Sequence, residues 1–128
     1  MKLNDSFEYQ FSFSQNEVDE FARVTGDNNP IHIDEAEAAK SIFKRRIMHG
    51  FLSGSVFSKV FGTLWPGKGT IFLGQNMRFV KPMYVDETYK ALFKVVEVKS
   101  NSVYVIDTSI VNATNEVMIS GGAVIKYV

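Results

Sequence analysis

The sequence predicts an α+β fold in which a five-stranded antiparallel sheet wraps one long buried helix. Five stretches alternate apolar and polar residues with the two-residue period of half-buried strands. The stretch 50–65 is apolar on nearly every side, which is typical of a buried helix. Four of the five strands follow one another over short turns, and such consecutive strands pair antiparallel.

Composition limits the class of protein. At 128 residues the chain fits one domain, spanning residues 1–128. Its 14 basic and 14 acidic residues cancel, so no overall field attracts nucleic acid or an anionic membrane. The absence of cysteine excludes disulfides, thiolate nucleophiles and zinc–thiolate sites. With no signal peptide or membrane-spanning run, we expect a cytoplasmic protein that binds neither nucleic acid nor membrane.

The N-terminal part predicts a strand followed by a short helix. Residues 7–13 alternate strictly, with four aromatic residues on one face. Ser14 followed by Glu17 is a capping-box start, and Gly26 ends the helical pattern. A second capping pattern, Asp34 with Glu37, predicts another helix that continues to Phe43.

The loop between these two helices carries a carboxylate and an imidazole, Asp27 and His32. Two such groups five positions apart can converge on one small molecule only if the chain between them is bent and rigid. Gly26 and Pro30 bend and stiffen a chain, as do the two asparagines between them. The sequence therefore predicts that chemistry occurs at this loop.

The buried helix carries a stripe of small residues, which fall four apart at Gly50, Gly54, Ser58 and Gly62. Another backbone or an extended ligand could approach this stripe closely. Tight packing against the sheet is an equally good interpretation.

After the turn at Pro66–Gly69, apolar residues predict the faces of four strands. They are Ile71, Leu73, Met77 and Phe79; Tyr89, Ala91, Phe93 and Val95; Tyr104, Ile106 and Ile110; and Val117, Ile119, Ala123 and Ile125.

The loop is similar to the hydratase motif of the MaoC-like proteins and (R)-specific enoyl-CoA hydratases. That motif begins with an aromatic residue, two variable residues, an aliphatic residue and a small residue. It continues with Gly-Asp-x-Asn-Pro, an aliphatic residue and His, and it ends with a small residue six positions after the His. The matching residues are Phe21, Val24, Thr25, Gly26, Asp27, Asn29, Pro30, Ile31, His32 and Ala38. The resemblance continues through His49-Gly50, Pro66–Gly69, the strand 73–79 and Pro82.

The resemblance implies a hot-dog fold and the addition of water to trans-2-enoyl thioesters, or the reverse dehydration of 3-hydroxyacyl thioesters. Asp27 and His32 would be the catalytic pair, with the backbone N–H of Gly50 as oxyanion donor. It also implies an acyl-CoA or acyl-ACP substrate, a homodimer, and no metal or redox cofactor, coenzyme A being part of the substrate. The expected substrate-binding residues are Asn29, Phe57, Ser58, Phe61 and Lys68.

Several alternatives stay open. Taken alone, Gly-Asp-Asn-Asn-Pro is more often a surface turn than an active site, and a histidine between isoleucines is more often structural. A 3-hydroxyacyl-ACP dehydratase, a hot-dog thioesterase and a non-catalytic acyl-thioester binder share the expected fold. A thioesterase would place a carboxylate on or near the central helix, but residues 50–72 contain none. His32, Asp34 and His49 also spell an iron triad, which is commonly built on strands instead of next to a helix.

Basic residues could meet the phosphates of coenzyme A. The candidates are the cluster Lys44-Arg45-Arg46 and, more weakly, Lys68 and Lys81. Clusters of this kind are usually solvated. We therefore expect at most a supporting role for them.

Overall fold

The computed structural model describes all residues from Met1 to Val128. Its elements, in chain order, are β1 (Ser6–Phe11), α1 (Gln15–Thr25), α2 (Pro30–Ile33), α3 (Glu35–Ala39), α4 (Gly50–Thr63), β2 (Thr70–Phe79), β3 (Tyr89–Lys99), β4 (Val103–Val111) and β5 (Val117–Tyr127). None of the helices combines the length and the apolar character needed to cross a membrane.

All five strands form one antiparallel sheet in the order β1-β3-β4-β5-β2. Helix α4 packs on this sheet, and its buried residues join those of the strands in one cluster of 19 buried apolar side chains. Phe57 and Phe61 of α4 both meet the ring of Phe93 on β3 edge to face. The structure confirms the predicted antiparallel sheet around a central helix.

Helix α1 begins and ends where its capping residues predict. Ser14 and Glu17 form the reciprocal capping box. Gly26 ends the helix in the left-handed conformation, with φ of 79°, and its N–H donates to Ala22. These two ends fix the direction in which the chain enters the following loop.

The segment after this loop is less regular than predicted. Instead of one helix reaching Phe43, it forms two short helices, α2 and α3. Asn29 caps α2 by accepting from Ile31 N, and Pro30 occupies its first turn. Asp34 caps α3 by accepting from Glu37 N, as the sequence predicted. The residues beyond Lys40 form turns.

Strand β2 corrects the predicted apolar face. A bulge between Phe72 and Gly74 changes which residues share a side of the strand. Phe72 therefore packs edge to face on Phe61, whereas Ile71 and Leu73 are about half exposed. The simple two-residue alternation could not reveal a bulge, because a bulge adds one residue to one strand only.

The first two small residues of the stripe on α4 allow side chains of the sheet to pack closely against the helix. A Cβ atom on Gly50 would lie 2.6 Å from the Phe79 ring, and one on Gly54 would lie 2.4 Å from the Met77 sulfur. Both neighbours belong to β2. A Cβ atom on Gly62 would meet nothing within 4 Å. The interpretation as close packing against the sheet therefore holds at the N-terminal half of α4.

Candidate active site

A cavity of about 640 Å³ opens where α4 begins. The loop after α1, the start of α4 and the segment after β2 surround it. Nine of its seventeen lining residues are hydrophobic, so it suits a ligand with an apolar body and a few polar groups. Asp27, His32, His49 and Gly50 all line this cavity.

The backbone of Asp27 is held on both sides. Its N–H donates to the Thr25 hydroxyl at 3.2 Å, and that hydroxyl donates to the Phe21 carbonyl at 2.7 Å. The Asp27 carbonyl accepts from His49 Nε2 at 2.9 Å. The carboxylate is therefore carried by a fixed stretch of chain, although the residue itself is exposed.

His32 is fixed through its backbone and its ring. Its carbonyl accepts from the Gln15 side chain at 2.9 Å. Its Nδ1 lies 2.8 Å from the Ile47 carbonyl, and because a carbonyl only accepts, Nδ1 must carry the proton. The other nitrogen, Nε2, is then bare in the neutral ring and can accept a proton.

The surroundings of His32 favour the neutral imidazole. Burial of the ring lowers the pKa of His32 below its ordinary value, and the neighbouring His49 acts in the same direction. The Ile47 carbonyl and Asp27 oppose this by favouring the charged form. Because the net shift of the pKa is downward, His32 is a neutral base at pH 7.

Gly50 is the first residue of α4, and its N–H has no acceptor in the protein. His49, the N-cap residue, makes no side-chain capping bond. Free N–H groups at a helix start bind anions, and the helix dipole adds to this attraction. The cavity therefore has a ready donor for a developing oxyanion beside the Asp27–His32 pair.

The other residues expected to bind substrate do not line this cavity. Asn29 caps α2, Phe57 and Phe61 are buried in the core, and Ser58 and Lys68 are exposed elsewhere. Each was inferred from resemblance, from side-chain size or, for Lys68, from charge, none of which places a side chain in space. Their contact with substrate remains a prediction.

One wall of the cavity is formed by residues 79–83, at the end of β2 and just after it. Of these residues, only Lys81 was predicted from the sequence to contact substrate, and the others were missed. This segment is tied to the start of α4, because Met48 N donates to Met83 O at 2.8 Å. Lys81 lies here and pairs with Glu116. Ser53, buried one turn into α4, was also missed. No local periodicity predicts that these residues line the cavity, since long-range pairing alone brings them to the loop.

Part of the basic cluster Lys44-Arg45-Arg46, which precedes α4, makes contacts within the protein. The Arg45 guanidinium lies 3.4 Å above the centre of the Tyr84 ring and pairs with Glu87 at 3.1 Å. Among the cations named from sequence, Lys81 is the one that lines the cavity. A contact between Lys81 and a coenzyme A phosphate remains a prediction.

Three side chains could also supply ligands to a metal ion. One ligand atom each from Asp27, His32 and His49 lies within 4.8 Å of the others. Ligands bound to zinc at about 2.1 Å lie roughly 3.4 Å apart, so these side chains would have to close around an ion. The triad His32, Asp34 and His49 is not formed in this way, because Asp34 instead caps α3.

The sequence is similar to those of known proteins of one family. The family model described as "MaoC like domain" matches residues 3–118. The (R)-specific enoyl-CoA hydratase of Aeromonas caviae is 36% identical over 115 residues, which are 89% of this chain and 86% of that protein. The 3-hydroxybutyryl-CoA dehydratase of Methylorubrum extorquens is 32% identical over 113 residues, covering 88% and 72% of the two chains.

Solved structures extend the likeness to the whole fold. The (R)-hydratase from A. caviae superposes with a TM-score of 0.96 at 32% identity, covering 100% of this chain and 98% of that one. R-hydratase PhaJ1 from Pseudomonas aeruginosa superposes with a TM-score of 0.94 at 35% identity, covering 99% and 82%. The fold is the hot-dog fold, as predicted. A family match over most of the sequence and a shared fold over its full length lead to one conclusion: this chain belongs to the MaoC-like dehydratase family.

Proposed function

We propose that this protein is an (R)-specific enoyl-CoA hydratase, equivalently a 3-hydroxyacyl-CoA dehydratase. The observation that carries the proposal is the placement of Asp27 and His32 around one largely apolar cavity with the free N–H of Gly50. The names of the related proteins support the same substrate class, a 2-enoyl or 3-hydroxyacyl thioester.

Hydration requires a base for the water proton and an acid for the α carbon. The bare Nε2 of His32 is the proposed base, and the Asp27 carboxyl group is the proposed acid. A water bonded to both at about 2.8 Å would span roughly 4.7 Å, and one ligand atom of Asp27 and one of His32 lie no more than 4.8 Å apart. The water oxygen bonds to the β carbon as its proton passes to His32. His32 then passes a proton to the Asp27 carboxylate, which delivers it to the α carbon, so that both groups return to their starting states.

The thioester oxygen gains negative charge while the β carbon is attacked. The Gly50 N–H would donate to it from the start of α4, where the dipole favours negative charge. A glycine at this position also lets the Phe79 ring pack against the helix start, since an added Cβ atom would be 2.6 Å from that ring.

Crotonyl-CoA tests the proposal directly. We expect loss of the enoyl absorbance with formation of 3-hydroxybutyryl-CoA, and chiral analysis should find the (R) product. Release of free coenzyme A without hydration would instead support a thioesterase. Binding without turnover would support a non-catalytic acyl-thioester binding protein. The presence of a carboxylate on the loop and its absence from α4 favour the hydratase over the thioesterase.

We also propose that the reaction needs no metal ion, because a metal bound by His32 would occupy the nitrogen that must accept the water proton. Removal of metals with a chelator is therefore expected to leave kcat unchanged, and added Zn²⁺ is expected to inhibit. Elemental analysis of the active protein should find no stoichiometric metal. Loss of activity on chelation, with recovery after one metal is restored, would contradict this prediction.

The active form is proposed to be a homodimer joined along β2. This ten-residue strand is an edge of the sheet, and it exposes Ile71 and Leu73 by 49% and 54%. A long apolar edge is a liability unless another chain covers it. Sedimentation should give twice the chain mass of 14.4 kDa.

A charge on the edge tests the proposed interface. Ile71→Glu is expected to weaken the dimer, because a two-fold axis would bring two like charges together across β2. Val98→Glu is the matched control, since Val98 is 48% exposed but belongs to β3. A monomeric parent protein, or equal effects of both substitutions, would contradict the proposal.

A further inference from the structure

His49 contacts both members of the proposed catalytic pair. Its Nε2 donates to the Asp27 carbonyl at 2.9 Å. Its ring stacks on the His32 ring, with centroids 3.9 Å apart and an angle of 27° between the planes. Phe21 packs against the ring at a centroid distance of 4.8 Å. His49 is also the residue before Gly50, so it adjoins the proposed oxyanion donor.

The burial of His49 indicates that the site requires the hydrogen bond from its Nε2 to Asp27. The residue is only 2% exposed, and its Nδ1 is buried without a partner. A buried polar atom without a partner costs free energy. If the site required only a flat packing ring, phenylalanine would supply it without this cost. The group that distinguishes histidine here is therefore the Nε2–H that holds Asp27.

We propose that His49 is a positioning residue, which holds Asp27 by its hydrogen bond and His32 by its stacked ring so that both face the Gly50 N–H. This inference rests on the proposed hydratase function and deepens it. His49 does not exchange a proton with substrate in this scheme.

The two histidines are expected to donate from opposite ring nitrogens. His32 must carry its proton on Nδ1, facing the Ile47 carbonyl, and His49 must carry it on Nε2, facing the Asp27 carbonyl. The chain contains two histidines, so nitrogen NMR of ¹⁵N-histidine protein gives two ring patterns. The His49→Gln variant leaves one ring and assigns both. A His49 ring that carries its only proton on Nδ1 would overturn the proposal.

Two substitutions separate the functions of the ring and of its N–H. His49→Phe keeps a stacked ring but removes the donor, whereas His49→Gln keeps a donor but removes the ring. Each is expected to lower kcat by about 10-fold and His49→Ala by about 10²-fold, the size of effect that a misplacement of about 1 Å produces. The KM for crotonyl-CoA should change less than kcat, because the residue acts on geometry.

Val60→Ala is the control for loss of packing in the same helix. Val60 is fully buried in α4 and does not line the cavity, so its truncation should lower stability while kcat is retained. Full kcat in the His49→Phe and His49→Gln variants would overturn the proposal, as would a rise in KM alone. If the parent protein does not hydrate crotonyl-CoA, the proposed function fails, while the NMR measurement still tests the arrangement of the histidines.

Discussion

Asp27→Asn and His32→Ala are each expected to reduce the hydration of crotonyl-CoA by about 10²-fold or more, the contribution that a positioned general acid or base makes to rate. The asparagine keeps the shape of Asp27 but cannot transfer a proton. The alanine removes Nε2, which the Ile47 hydrogen bond leaves bare. The measurement is kcat and kcat/KM from the loss of enoyl absorbance, with folding followed by circular dichroism.

A carboxylate of similar position supplies the control. Asp34 lies two residues after His32 and caps α3 through Glu37 N, without lining the cavity. Asp34→Asn should therefore retain kcat, since asparagine also caps helices well. If Asp27 and His32 act in one step, the double variant should be little worse than either single variant. Retention of full kcat by Asp27→Asn or His32→Ala would contradict the proposed chemistry.

Gly121→Ala is expected to lower the free energy of unfolding by about 3 kcal/mol, at the upper end of the usual cost of overpacking. Gly121 lies opposite Met77 in the β2–β5 pairing. An added Cβ atom would be 1.9 Å from the carbonyl oxygen of Asn76. That oxygen belongs to the backbone of a paired strand, so it cannot move without shifting β2. Thermal and urea unfolding measure the change.

Gly62→Ala provides the opposite control. An added Cβ atom there meets nothing within 4 Å, and alanine in a helix is favoured over glycine by roughly 0.5–1 kcal/mol. We therefore expect the two glycine-to-alanine changes to move stability in opposite directions. Equal stability of Gly121→Ala and the parent protein would show that β5 can shift away from β2 at no cost.

Local sequence patterns predicted the elements that surround the site. The capping box at Ser14 and the left-handed Gly26 place the loop, because capping depends on residues only a few positions apart. The apolar stretch after His49 predicted the buried helix, because that pattern is also local. The bulge in β2 was missed because it depends on how β2 pairs with β5, over forty residues away.

The composition of the site was only partly predictable. Asp27, His32 and Gly50 followed from the resemblance of their motif, and the structure brings all three to one cavity. Phe57 and Phe61 were expected near substrate but are buried in the core. The sequence shows the size of these two side chains. The direction in which each of them points depends on the packing of α4 against the sheet.

The sequence by itself determined which groups are available for chemistry: a carboxylate and an imidazole on a stiff loop, and a glycine at the start of an apolar helix. Only the tertiary structure decided how these groups are held and in which state. The Ile47 carbonyl selects the tautomer of His32, and the His49 ring joins Asp27 to His32. The reason is physical, because a hydrogen bond or a stacked pair between residues 15 to 22 positions apart exists only after the chain has folded.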